Sequence, residues 1–266
     1  MQYEKTGSAL KRWIAVLLFS PALLPAVAHS QLVVNGGAEY FRWTEYTTPN
    51  VTETGPMPTL GLAYTQERDA GALFAYRGKI WGGSVDYEGA TLFGGIPLQS
   101  KTNYEGINNE VQARLRKPGK PGGSLDAVFG LGLDVWRREL SSVQKEDYAI
   151  AYLRLGVESG ANFDGLWSVG LGFKLPVWTY ENAHFDQIGF DSNPILHPGK
   201  ELTPYGSVGY RFTENLQLTA YYEGFRFGQS NEVQANEVAL GLGPTTLFQP
   251  KSDMSVFGLK LDYRLR

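Results

Sequence analysis

The chain of 266 residues has no cysteine and three histidines. The first absence removes thiol nucleophiles, thiolate metal centres, CxxC redox motifs and disulfide scaffolds. The second leaves little material for imidazole chemistry. Basic charge is not in excess: 24 Lys and Arg stand against 27 Asp and Glu, a net charge of −3. Nothing here neutralises a run of phosphates, so nucleic acid is excluded as a partner. Beyond residue 28 no apolar run approaches the ~20 residues of a membrane-spanning helix. Glycine and aromatics are plentiful instead, with 32 Gly, 15 Tyr, 14 Phe and 6 Trp. That composition excludes collagen, coiled coils and helical bundles.

The first residues read as an export signal. Lys5, Lys11 and Arg12 form a positive start, Trp13 to Val27 an apolar stretch, and Ala26-Val27-Ala28 a small-residue cleavage site. Pro21 and Pro25 interrupt the stretch, which argues against a membrane anchor. The expectation is a signal peptide over 1–28, cleaved after Ala28, and a single domain over 29–266.

The mature chain alternates with period two. Ala127, Phe129, Leu131, Leu133 and Val135 fall on one face, with Asp126, Val128, Gly130, Gly132 and Asp134 on the other. The pattern repeats over 149–158, 167–175 and 256–265. Weaker versions occupy 36–46, 58–67, 72–87, 103–116, 204–212 and 215–227. Ten such segments are the signature of a transmembrane β-barrel. Short turns at 68–71, 117–123, 159–164 and 213–214 interleave with longer loops at 47–57, 88–102, 140–146, 178–203 and 228–253, as in barrels with short periplasmic turns and long outer loops. The fold class predicted is all-β, a single ten-stranded antiparallel up-and-down transmembrane barrel with both termini inside. A soluble sandwich also alternates, but its charged face is wet and scattered, whereas here Gly and opposite charges share a face. Trp43, Trp81, Trp136, Trp167 and Trp178 near strand ends are expected to form interfacial girdles.

The signal followed by ten alternating segments and a last strand Val256-Phe257-Gly258-Leu259-Lys260-Leu261-Asp262-Tyr263-Arg264-Leu265 resembles the bacterial outer-membrane β-barrel class. That resemblance implies residence in the bacterial outer membrane, with its lipid as one partner. The barrel assembly machinery would be another, reading the last strand through Gly258, Leu261 and Tyr263. The chain ends on Leu265-Arg266, where the class usually ends on an aromatic. A monomer is expected, and no cofactor or metal is implied.

Ten strands enclose a narrow interior, between the filled eight-stranded barrels and the open pores of 16 or more. Face assignment places Arg77, Lys79, Glu110, Arg114, Asp126, Asp134, Arg138, Arg154, Glu158, Lys174, Arg211, Glu223, Lys260, Asp262 and Arg264 inside. Unpaired charge away from water costs several kcal/mol, so a self-paired network plugging the lumen is the leading expectation, in a structural role. A conduit passing a small anion along Arg114, Arg154 and Arg211 is its sharper variant. The competing class is a surface hydrolase, omptin-like or lipid-modifying, with a site in the 178–203 loop. Its candidates are His184 and Asp186, which an extended segment would place on one side for acid–base work on a water. No acidic pair in another loop answers them, so catalysis is the weaker reading. A third class is loop-mediated binding or adhesion, since 178–203 and 228–253 hold more apolar residues than wet loops need.

Overall fold

A computed structural model describes residues 30–66, 70–90, 95–118, 124–162, 166–239, 241 and 243–265. The expected signal peptide, 1–28, lies outside these residues. Twelve strands are described: β1 (Ser30–Glu45), β2 (Val51–Gln66), β3 (Gly71–Ala90), β4 (Pro97–Pro118), β5 (Ser124–Glu139), β6 (Lys145–Asn162), β7 (Trp167–Asn182), β8 (Thr203–Arg211), β9 (Leu216–Phe227), β10 (Val233–Glu237), β11 (Gly243–Leu247) and β12 (Ser252–Leu265). Ten of them form a closed barrel in the order β1-β12-β9-β8-β7-β6-β5-β4-β3-β2. Every neighbour pair is antiparallel, and β1 closes on β12 through fourteen residue pairs from Leu32↔Leu265 to Glu45↔Ser252. The two remaining strands make a small hairpin, β10–β11, inside the last long loop. Closure satisfies the ladder on both sides of every wall strand, which a barrel in hydrocarbon requires.

All ten expected strands are present, and most are longer than the alternation suggests. β3 and β4 run 20 and 22 residues, where about 9–11 tilted residues cross a bilayer. The extra length lies toward the loop end, so segments expected as loop, such as 51–57 and 97–102, are wall.

This length explains a reversal of polarity along single strands. Toward the turn end the outward positions are apolar: Phe129, Leu131, Leu153, Leu171, Phe173, Leu259 and Leu261 are all exposed. Toward the loop end the outward positions are charged or polar: Asp86, Lys101, Glu105, Arg137, Asp147 and Asp253. There the apolar side chains turn inward, with Phe41, Trp43, Trp136, Ile150 and Phe225 at 0–1% exposure. The outer wall faces hydrocarbon in the first region and water in the second, and the buried face changes with it. Trp43, Trp81 and Trp136 therefore do not form a girdle: they share parity with Glu45, Lys79 and Arg138 and lie in the core. Trp167 and Trp178 remain outside, at 42% and 46% exposure.

One irregularity shifts a face. The β6–β7 register slips between Ala151↔Trp178 and Tyr152↔Pro176, leaving Val177 as an extra residue. Val177 and Trp178 both point outward, and Thr179 and Glu181 are thereby turned inward. Lys200 Nζ donates to the Val177 carbonyl at 2.6 Å.

Candidate functional site in the barrel interior

The interior is a stack of layers built by inward residues of neighbouring strands. At the loop end, Ala183, Phe185, Phe190, Leu196, Ala235 and Leu247 pack together, with Ile188 and Val233 against them. This lid joins the 183–202 segment to the β10–β11 hairpin. Asp191 anchors it, accepting from Asn236 Nδ2 at 2.6 Å and from the Asn236 amide at 2.9 Å. The Asn236 hydrogen bonds hold the Asp191 carboxyl below its usual range.

Beneath the lid sits Arg138, 2% exposed. Its Nη1 donates to Glu45 Oε1 at 2.6 Å and Glu146 Oε2 at 2.8 Å, and its Nη2 to Glu53 Oε1 at 2.6 Å. Trp43 Nε1, Tyr104, Thr102 and Tyr148 donate to the same carboxylates. Sequence reasoning placed Arg138 inside but missed all three carboxylates. Glu53 and Glu146 fall in segments read as loops, and strand parity was the signal that could have found them.

The next layer is aromatic. Trp136 stacks on Tyr148 at 4.9 Å and 10°, and on Phe225 at 6.3 Å and 17°. Trp43, Trp81, Phe227 and Met57 complete a cluster with almost no solvent access. Glycines make room for these rings. Trp81 lies across its paired Gly106, Tyr152 across Gly132 and Tyr221 across Gly258, and a Cβ at any of the three would overlap the ring. At these three positions the absent side chain is the space that a ring occupies.

Below the rings the interior becomes ionic. Lys174 Nζ lies 4.4 Å from the Tyr152 ring centroid and 4.0 Å from that of Phe225, and 3.6 Å from Glu223. Arg154 reaches Glu223 at 3.2 Å and Glu110 at 3.7 Å and stacks over Tyr205 at 3.5 Å. Asp134 accepts from Asn108 at 3.2 Å, and Tyr152 donates to Glu110 at 2.9 Å. Nearer the turn end Arg77 forks onto Glu158 at 2.8 and 3.0 Å, and Arg114 meets Glu158 and Asp126. Arg116 holds Asp126 at 2.8 Å twice, Lys79 holds Glu39 at 2.5 Å, and Lys260 holds Asp262 at 2.9 Å. Of the inward residues expected from sequence, Arg77, Lys79, Glu110, Arg114, Asp126, Asp134, Arg154, Glu158, Lys174, Glu223, Lys260 and Asp262 take part in these contacts, while Arg138 lies apart, above the aromatic layer. Arg211 borders the network without a carboxylate within 4 Å among the described residues. The network surrounds a polar cavity of about 340 Å³ at the turn end.

The loop rim carries one further polar pair. His184 Nε2 is 2.9 Å from Asp147 Oδ2, and Arg137 forks onto the same carboxylate at 2.7 and 3.0 Å. The structure sets His184 against Asp147 of β6. Asp186, its expected companion, is exposed on the short 3-10 turn Phe185–Gln187.

Comparison with solved structures agrees with this architecture. The outer membrane protease OmpT from Escherichia coli matches over 88% of this chain and 97% of its own, at 9% identity and a TM-score of 0.52. The transport unit of the autotransporter AIDA-I from Escherichia coli matches over 96% and 97%, at 10% identity and 0.42. Neisserial surface protein A matches over 88% and 97%, at 9% identity and 0.36. No protein-family model matches the chain, and no curated protein does. At such identities the likeness is one of backbone, and its conclusion is that this chain has the fold of the outer-membrane β-barrels.

Proposed function

We infer that the chain is a non-conducting barrel of the bacterial outer membrane, with a structural interior and a blind polar cup. The observation that carries this reading is the layer of Trp43, Trp136, Tyr148, Tyr152, Phe225 and Phe227, each no more than 1% exposed and packed into one cluster inside the barrel. Above it the three carboxylates that share Arg138 also accept hydrogen bonds from Trp43, Thr102, Tyr104 and Tyr148, and below it Arg77, Lys79, Arg114, Arg154, Lys174 and Lys260 each hold a carboxylate within 4 Å, so these groups are engaged by the protein itself. In this reading the four short turns face the periplasm and the five loops face outward, following the usual topology of the class. Residues 1–28 act as the export signal, the apolar wall meets membrane lipid, and β12 presents Leu261 and Tyr263 outward and Gly258 inward to the assembly machinery. The protein acts as a monomer. Recording in planar bilayers is the test. The purified barrel leaves the bilayer at baseline conductance, and steady channels with anion preference would overturn the plug.

The runner-up, a surface hydrolase, is favoured by one observation, the 2.9 Å contact between His184 and Asp147 at the outer rim. A carboxylate-oriented imidazole is half of the equipment for activating a water. Arg137 already engages that carboxylate with two hydrogen bonds, which suits a rim clasp as well as a base. Incubating intact cells with a mixed peptide library and with lipopolysaccharide decides between them: cleavage that His184→Ala abolishes would establish the enzyme.

A further inference from the structure

The outermost cations of the turn-end cavity are arranged unlike the rest. Arg211 ends β8 and Arg264 is next to last in β12, and these strands flank β9 on either side. Arg211 pairs with Gln217, Gln217 pairs with Asp262, and the Arg264 amide donates to the Asn215 carbonyl at 2.9 Å. Both side chains line the cavity, from strands on either side of β9. The deeper cations each have a carboxylate within 4 Å, whereas among the described residues neither Arg211 nor Arg264 has one. Asp262, level with Arg211 across β9 and two residues before Arg264, is taken up by Lys260 at 2.9 Å and Thr219 at 2.6 Å. With the Gln31 amide oriented so that its oxygen faces the guanidinium, Arg264 donates Nε and Nη2 to it at 2.9 and 3.0 Å. Glu214, exposed on the turn, borders the same mouth.

Two guanidinium groups that line one cavity without a carboxylate partner favour an anion between them. Their planar forks match tetrahedral oxyanions through paired hydrogen bonds. A phosphate monoester, with roughly two negative charges at neutral pH, balances both arginines, while a carboxylate balances one. The wall beside them offers the amides of Gln31 and Asn35 and the hydroxyls of Ser168 and Ser207, and the volume of about 340 Å³ admits a short polyol. The pair lies inside the barrel wall, turned away from hydrocarbon, which selects a dissolved ligand over a lipid headgroup. We propose that Arg211 and Arg264 form the binding site of a small, soluble, hydroxylated phosphate monoester that enters the cup from the turn end. The proposal deepens the reading of the cup as blind, but binding does not depend on the plug above it.

The test is calorimetric titration of the full-length, detergent-solubilised barrel with glycerol 3-phosphate, and with glycerol and inorganic phosphate for comparison. Saturable binding is expected for the ester, weaker saturable binding for inorganic phosphate and none for glycerol. Arg211→Gln or Arg264→Gln alone weakens the ester by about tenfold, and the double variant removes it. Lys101→Gln, at the opposite end, leaves it unchanged. Each variant is first required to keep the shift in gel migration between unheated and boiled samples that marks a folded barrel. Absence of saturable binding, equal binding of glycerol, or arginine variants that bind as the parent does would each overturn the proposal. Channels in a planar bilayer would overturn the plug and leave this result standing, so the two failures are distinct.

Discussion

Arg138 Nη2 donates to Glu53 Oε1 at 2.6 Å, joining β5 to β2 across the lumen although two strands separate them in the wall. The same guanidinium holds Glu45 of β1 and Glu146 of β6, so one side chain ties four strands together from the inside.

Removing that group leaves three buried carboxylates without their cation. Arg138→Met is expected to destabilise the barrel by about 3–5 kcal/mol, because breaking a buried pair strands the remaining charge. Arg138→Lys recovers only part of this, since one ammonium cannot present the same fork to three acceptors. Urea titration of refolded protein in lipid vesicles measures both.

The outward apolar belt gives the opposite kind of prediction. Leu131 is 53% exposed in the middle of the β5 belt. Leu131→Arg is expected to cost about 2–4 kcal/mol in the same vesicle assay, the penalty for a cation at the bilayer midplane. Full stability of that variant would mean that this face does not meet hydrocarbon.

Gly132 tests the packing of the lumen. Its Cβ would overlap the Tyr152 ring, and that ring is fixed by hydrogen bonds to Glu110 and from Asn108 at 2.9 Å each. Gly132→Ala is expected to cost about 1–3 kcal/mol by overpacking. Gly206→Ala serves as the comparison, since its Cβ meets only the Gly170 carbonyl at ordinary contact distance. Equal stability of the two variants would contradict a filled interior.

Acid is expected to loosen the lid before the wall. The Asp191 carboxyl, held by Asn236, has a folded-state pKa below its ordinary value of 3.8. A carboxyl shifted downward contributes stability above its unfolded pKa and loses it as pH falls through the folded one. Asp191 is fully exposed, so the effect is local. Proteolysis within 183–202 is expected to accelerate below about pH 4, and Asp191→Asn to show much of that susceptibility at neutral pH, while wall strands stay protected from hydrogen exchange.

The alternation was legible wherever a strand has lipid on one side and polar lumen on the other, which is why the belts of β5, β6, β7 and β12 stood out. It misled where Trp43, Trp81 and Trp136 turn inward, because above the belt both the environment outside and the packing inside reverse. A girdle and a core then look alike in composition, and only counting parity from Asp134 through Trp136 to Arg138 separates them. Inward charges such as Arg154 and Glu158 could be assigned to a face, but their partners are set by tilt and register across several strands. The bulge at Val177 left no mark of its own, and the partner of His184 lies on β6, thirty-seven residues away.

The seam between β1 and β12 pairs the start of the described wall with its end. Until the final segment is in place, two ladder edges lack partners, and exposed peptide groups have no substitute acceptor in a lipid phase. A chain shortened by that one segment would thus fail as a whole rather than in part.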